Sequence, residues 1–194
     1  GNMKIAGENE AYKLEGKIKR MEASWSDTKI GAMEPFQFSV SNDGFGVIGL
    51  TLQDNHDTNF SISARTFQQR PNVKINGVVN LPLLEDFVPG LTQAAGSAIV
   101  SINSSGRLRD AARGTVTIPD GYIAGTWFPH PLEDINAKID ISPSEIEFSK
   151  VTGRLGGGEL NVQGKIATES FVPQGFDIQA ELKAGQIKLI SDLP

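Results

Sequence analysis

His56 and His130 are the chain's two histidines, and each has neighbours that invite a chemical reading. Asp54, His56 and Asp57 place carboxylates beside an imidazole, a donor set that a divalent metal could use. They stand in a polar stretch between two strand-like runs, where Asp, Asn and His are favoured for the turn itself, and we read a turn there rather than a metal site. His130 lies between Pro129 and Pro131, a rigid loop in which an exposed ring is expected. Gly156-Gly157-Gly158 lacks the Lys and Ser/Thr of a phosphate cradle, and no helix follows it, so a tight turn or kink is the expectation. No serine sits in a nucleophile-elbow motif, and no carboxylate pair stands out from the surface charges. Asn59-Phe60-Ser61 and Asn103-Ser104-Ser105 match the glycosylation sequon, a match frequent by chance. The expectation is a protein that is not an enzyme and holds no cofactor.

What must position any site is a β framework. Ile135, Ala137, Ile139 and Ile141 alternate with Asn136, Lys138 and Asp140, and the alternation resumes with Ile146 and Phe148 against Glu145 and Glu147. Leu160, Val162 and Ile166 alternate with Asn161, Gln163 and Lys165, and Ile178, Ala180 and Leu182 with Gln179, Glu181 and Lys183. Successive side chains of a strand point to opposite faces, so this half predicts antiparallel sheet with one apolar and one wet face. The first half is of the same kind. Met3 to Gly7 and Ala11 to Ala23 read as strands, the second with a bulge near Lys19. Phe36, Phe38 and Val40 alternate with polar residues, and Asn42-Asp43-Gly44 is a hairpin turn into Val47 to Leu52. Further strands follow at Phe60 to Ala64, Val73 to Ile75, Ala98 to Ile102 and Val116 to Ile118, with turns at Asn103 to Gly106 and Asp120-Gly121. One segment breaks the pattern: Leu83, Leu84, Phe87 and Val88 recur at helical spacing between Leu81 and Leu91, with Pro82 at the start and Pro89-Gly90 at the end. A helix of about two turns cannot stand alone in water, so it is expected to dock as a plug or lid. The fold class is therefore all-β, with one short helix near residues 81–91.

Bulk composition narrows the classes further. The chain has 194 residues, 39% apolar and 21% charged, with 21 Gly, which suits a turn-rich globular domain that buries a core. A net charge of −5 shows no basic footprint for nucleic acid or anionic headgroups. The absence of cysteine removes disulfides, thiolate metal sites and a cysteine nucleophile. No run reaches the roughly 20 apolar residues of a membrane span, and no apolar leader opens the chain. Gly1-Asn2-Met3 reads as a cloning remnant ahead of an internal start, so residues 1–194 are taken as a single segment of a longer protein.

The order of these pieces resembles the TamB family, within the wider AsmA-like group of envelope proteins. The resemblance rests on Gly16-Lys17-Ile18 to Trp25, on Asn76 to Leu84 (Asn-Gly-Val-Val-Asn-Leu-Pro-Leu-Leu), and on Gly114 to Ile118 with Asp120-Gly121. It continues through Pro131 to Ile135 and Gly153 to Gly164, and covers the chain from about Gly16 onward. It implies a long sheet folded into an open U-shaped groove, the β-taco, with an apolar interior. It also implies a periplasmic location, tethered to the inner membrane by a segment elsewhere in the protein. The roles implied for the whole protein are phospholipid supply to the outer membrane, or assembly of outer-membrane proteins with the barrel partner TamA.

An amphipathic sheet in water gains about 25 cal/mol per Å² by covering its apolar face. A second sheet, closure into a barrel, or a bound acyl chain would each do so. On the lipid reading the lining is Val100 and Ile102, Val116 and Ile118, Ile135, Ile139 and Ile141, Ile146 and Phe148, Leu160, Val162 and Ile166, and Ile178 and Leu182. The same residues could instead form an ordinary core. Phospholipid acyl chains are the expected partner, with strands of unfolded outer-membrane proteins as a second, paired by β-augmentation. An extracellular β-sandwich, solenoid stalk or carbohydrate-binding module with a closed core is the reading from a different class.

Overall fold

The computed structural model describes residues 2–8, 11–25, 28–54, 58–67, 70–127 and 129–185. It contains fourteen strands: β1 (Asn2–Glu8), β2 (Ala11–Ile18), β3 (Glu22–Trp25), β4 (Thr28–Ala32), β5 (Phe36–Ser41), β6 (Gly44–Asp54) and β7 (Asn59–Phe67). They continue with β8 (Arg70–Asn80), β9 (Leu91–Ser105), β10 (Ala112–Gly125), β11 (Leu132–Ile141), β12 (Glu145–Leu155), β13 (Gly158–Glu169) and β14 (Val172–Lys183). The order is β1-β2-β5-β6-β7-β8-β9-β10-β11-β12-β13-β14, with β3 and β4 a side hairpin attached through β4 to β6. The fold is all-β, one antiparallel sheet that does not close on itself. Most neighbours are consecutive strands, and a short turn between two strands makes the pair antiparallel; residues 81–90 join β8 to β9, and residues 106–111 join β9 to β10.

By contacts the chain divides into two compact units, Gly1–Val79 with Val100–Gly114, and Asn80–Ile99 with Thr115–Pro194. In the first unit the register lines up Phe38, Val47, Ala64 and Val73 across β5 to β8. Residues directly opposite in an antiparallel pair share a face, so this row is one apolar stripe, and its Ala64 and Val73 are buried along with Phe36 and Ala112. Where a continuous strand with a bulge near Lys19 is expected, β2 ends at Ile18 and β3 starts at Glu22. The break lets β4 and β5 share one edge of β6, β5 on its first half and β4 on its second. A register shift between Val47 and Leu50, with Gly49 at φ 72°, separates the two halves.

In the second unit the buried apolar residues are Leu81, Ala94, Ala98, Ile135 and Ala137. The segment expected as a two-turn helix is a single 3₁₀ stretch, Leu81–Asp86. Asn80 is extended, and Pro82 stands at the start. With three residues per turn, positions three apart eclipse, so the face offered to the sheet is not the one that α-helical spacing picks out. Leu81 is the residue that plugs, at 2% exposure, while Leu83, Leu84 and Val88 are half-buried and Phe87 is 56% exposed. The stretch is pinned by the Ala94 N–H, which donates to Glu85 Oε1 at 2.6 Å.

One expected turn starts late and one is absent: β9 runs through Asn103 to Ser105 before the chain leaves the sheet at Gly106, and β10 runs without interruption through Asp120-Gly121. Gly121 there serves packing: an added Cβ would lie 3.2 Å from both Leu81 Cδ1 and Ile135 Cβ. A one-turn helix, Leu108–Ala111, joins β9 to β10 and leaves no trace in the alternation.

Candidate functional site

The residues of β11 to β14 assemble the feature with most functional content. Their registers stack apolar residues in rows across the strands: Ile141, Ile146, Ile166 and Phe176 in one, Ile139, Phe148, Gly164 and Ile178 in the next. Ala137, Val151, Val162 and Ala180 follow, and then Gly153, Leu160 and Leu182. The opposite face carries Asp140, Glu147, Lys165 and Asp177 in one row and Glu133, Arg154, Glu159 and Lys183 in another. Lys165 pairs with Glu145 at 3.2 Å and Lys183 with Glu181 at 3.4 Å, all on half-exposed or exposed side chains whose net effect on stability is small.

Three local devices hold these rows in register. Gly156 and Gly157, at φ 57° and 80°, close the β12–β13 hairpin, so the glycine triplet is the tight turn expected. Ser170 and Phe171, at φ 50° and 70°, close the β13–β14 hairpin without glycine. That turn is tied to the β11–β12 loop: the Thr168 hydroxyl donates to the Pro143 carbonyl at 2.9 Å, and the Phe171 N–H donates to it at 3.2 Å. The third device is a bulge at Ser149, whose hydroxyl donates to the Lys138 carbonyl at 3.1 Å. The bulge shifts β12 against both neighbours, so the apolar parity passes from Ile146 and Phe148 to Val151 and Gly153.

The burial of the expected lining runs along a gradient. Ile135 belongs to the packed core at 3% exposure, and like Leu81 it lies beside Gly121. Val116, Ile118, Ile139, Ile141, Ile146, Phe148, Leu160, Val162, Ile166 and Leu182 are half-buried, and Ile178 is 42% exposed. Val100 and Ile102 are half-buried in the first unit, and the register rows above do not include them. Thr115 donates to Asp140 Oδ1 at 3.0 Å, which places Thr115 on the charged face and its neighbour Val116 on the apolar one. Phe176, at 82% exposure, extends the apolar face and was missed as lining, although it continues the alternation of Ile178 and Ala180. Ala137, Val151 and Ala180 were missed too, the first and last because alanine adds little to a hydrophobic pattern and Val151 because the bulge changes the phase.

The histidine neighbourhoods resolve as local structure where they are described. Asp54 closes its turn, its Oδ1 accepting the Thr58 N–H at 2.8 Å while its own N–H donates to the Thr58 carbonyl at 3.1 Å. His56 and Asp57 lie outside the described residues. His130 is half-buried rather than exposed, flanked by the two prolines. Among the described residues no group of three His, Cys, Asp or Glu converges. A depression of about 570 Å³ beside these strands is lined by Ser149, Lys150, Thr152, Asn161, Gln163, Gln179 and Glu181 together with Val151, Val162 and Ala180.

The chemistry of this arrangement is that of a non-polar surface. Side chains of Ile, Val, Leu and Phe offer dispersion contacts and exclusion of water, with no donor or acceptor at which a polar group would stop. No family model, curated protein or solved structure matches the chain.

Proposed function

We propose that this chain is a periplasmic segment of a TamB-like, inner-membrane-anchored envelope protein, and that its apolar sheet face shields or conducts phospholipid acyl chains between the inner and outer membranes. The observation that carries this reading is the set of continuous apolar rows across β11 to β14, which end in Phe176 and Ile178 at 82% and 42% exposure. A hydrocarbon chain laid across such rows removes apolar area from water on both partners, at about 25 cal/mol per Å². A surface with no polar anchor suits passage better than capture of one specific molecule. Through the full-length protein the partner at the outer membrane is the barrel TamA, and assembly of outer-membrane proteins is the companion role of the same family. No step of this function is enzymatic, and it needs no cofactor.

The test is uptake of a fluorescent phospholipid by the purified chain, comparing wild type with Ile139→Asp and with Lys138→Asp on the opposite face, each checked for folding by circular dichroism. Uptake lost in Ile139→Asp and kept in Lys138→Asp is the expected result. A folded wild type that takes up no lipid overturns the proposal and favours a closed structural or carbohydrate-binding β module.

A further inference from the structure

The strand β14 is exposed along its whole length apart from half-buried Leu182, and among the described residues its outer edge has no ladder partner. A long edge strand with exposed Val172, Phe176 and Ile178 is a template for pairing, while Pro173 near its start and the charges of Asp177, Glu181 and Lys183 blunt it, so a strand that pairs there must match those charges. We propose that β14 pairs edge to edge, antiparallel, with β14 of a second copy of this chain, in the register that sets Ala180 opposite itself. The proposal does not depend on lipid binding.

Charge and face select that register. A two-fold axis at Ala180 sets Asp177 opposite Lys183 of the copy and Ile178 opposite Leu182 of the copy, and symmetry makes each contact twice. Gln179 then faces Glu181, and Pro173 stays outside the ladder. An axis at Gln179 would set Asp177 against Glu181 twice, and an axis at Glu181 would set that carboxylate against itself. An axis at Ile178 would draw Pro173 into the ladder and make no opposite-charge pair. Axes between residues would place apolar side chains opposite polar ones and are excluded by the pleat. In the Ala180 register the row from Gly153 through Leu160 and Leu182 runs on into Ile178, Gly164 and Phe148 of the copy, so the apolar face continues across the joint.

The chain has no cysteine, so a single introduced thiol reports the register cleanly. Sedimentation of the full chain across a concentration series is expected to show a monomer–dimer equilibrium. Under mild oxidation Ala180→Cys should form a disulfide-linked dimer, whereas Ile178→Cys and Leu182→Cys should not. Lys183→Glu, which turns two attractive contacts repulsive, should raise the dimer dissociation constant by about tenfold. The same charge change at Lys150, on β12, should leave it unaltered. A folded wild type that stays monomeric at every concentration overturns the proposal and leaves the edge to a different strand. Equal cross-linking at 178, 180 and 182 overturns the register.

Discussion

Within the second unit, one apolar face has two ends with opposite fates. At the β11 end Ile135 and Ala137 are buried at 3% and 4% exposure, and Ile135 and Leu81 of the 3₁₀ stretch both lie beside Gly121. At the β14 end the same alternation leaves Ile178 and Phe176 at 42% and 82% exposure. The sequence patterns of the two strands are equivalent: Ile-x-Ala-x-Ile-x-Ile in one, Phe-x-Ile-x-Ala-x-Leu in the other. Among the described residues, what separates them is a cover at one end only. Alternation makes a face, and a neighbouring segment decides whether that face becomes core or surface.

The sharpest way to break the contrast is to remove the cover. Leu81→Ala deletes a side chain at 2% exposure and should cost about 2–5 kcal/mol, read as a lower denaturation midpoint with the slope unchanged. A cost below about 1 kcal/mol would mean that the β11 end is no better sealed than the β14 end. The next effect comes from the joint that holds β14 in place. A Cβ at Gly158 would meet the Gly185 Cα and the Lys183 carbonyl, so Gly158→Ala should cost about 1–3 kcal/mol. Amide exchange of β14 should then accelerate while that of β11 stays slow; equal acceleration in both would show that the two ends unfold as one.

Smaller effects sharpen the same comparison from the surface. Lys165→Gln breaks the ion pair with Glu145 on half-exposed side chains and should change stability by under about 1 kcal/mol, an effect that shrinks in high salt. Phe176→Ser should move stability by no more than about 0.5 kcal/mol, because an aromatic ring at 82% exposure has little packing to lose. It should lower binding of a fluorescent apolar probe all the same. A large stability loss in Phe176→Ser would show that the β14 end is covered after all.

The legibility of the chain follows these physical lines. Period-two alternation in Ile135 to Ile141 and in Ile178 to Leu182 identified strands, their faces and the antiparallel order, because side-chain direction in a strand is set by the backbone itself. The hairpin at Gly156-Gly157 was legible because two successive positive-φ positions call for glycine, whereas Ser170-Phe171 was not, since its backbone is held by the Pro143 carbonyl from another hairpin. The segment from Leu81 to Leu91 was legible as a break and misread as an α-helix. Apolar residues at Leu83, Leu84, Phe87 and Val88 fit that period, but the docked residue is Leu81 and the stretch winds as 3₁₀. The turn expected at Asp120-Gly121 failed for a related reason: that glycine makes room for Leu81 rather than reversing the chain.

Local covalent geometry and water were enough to determine, from sequence alone, that this chain is all-β and that its strands are two-faced. Tertiary structure alone decided which stretch of the apolar face is sealed, where the bulge at Ser149 shifts the phase, and which strand remains an edge. The physical reason is that alternation depends on a residue's own backbone, while burial depends on what another segment brings to it.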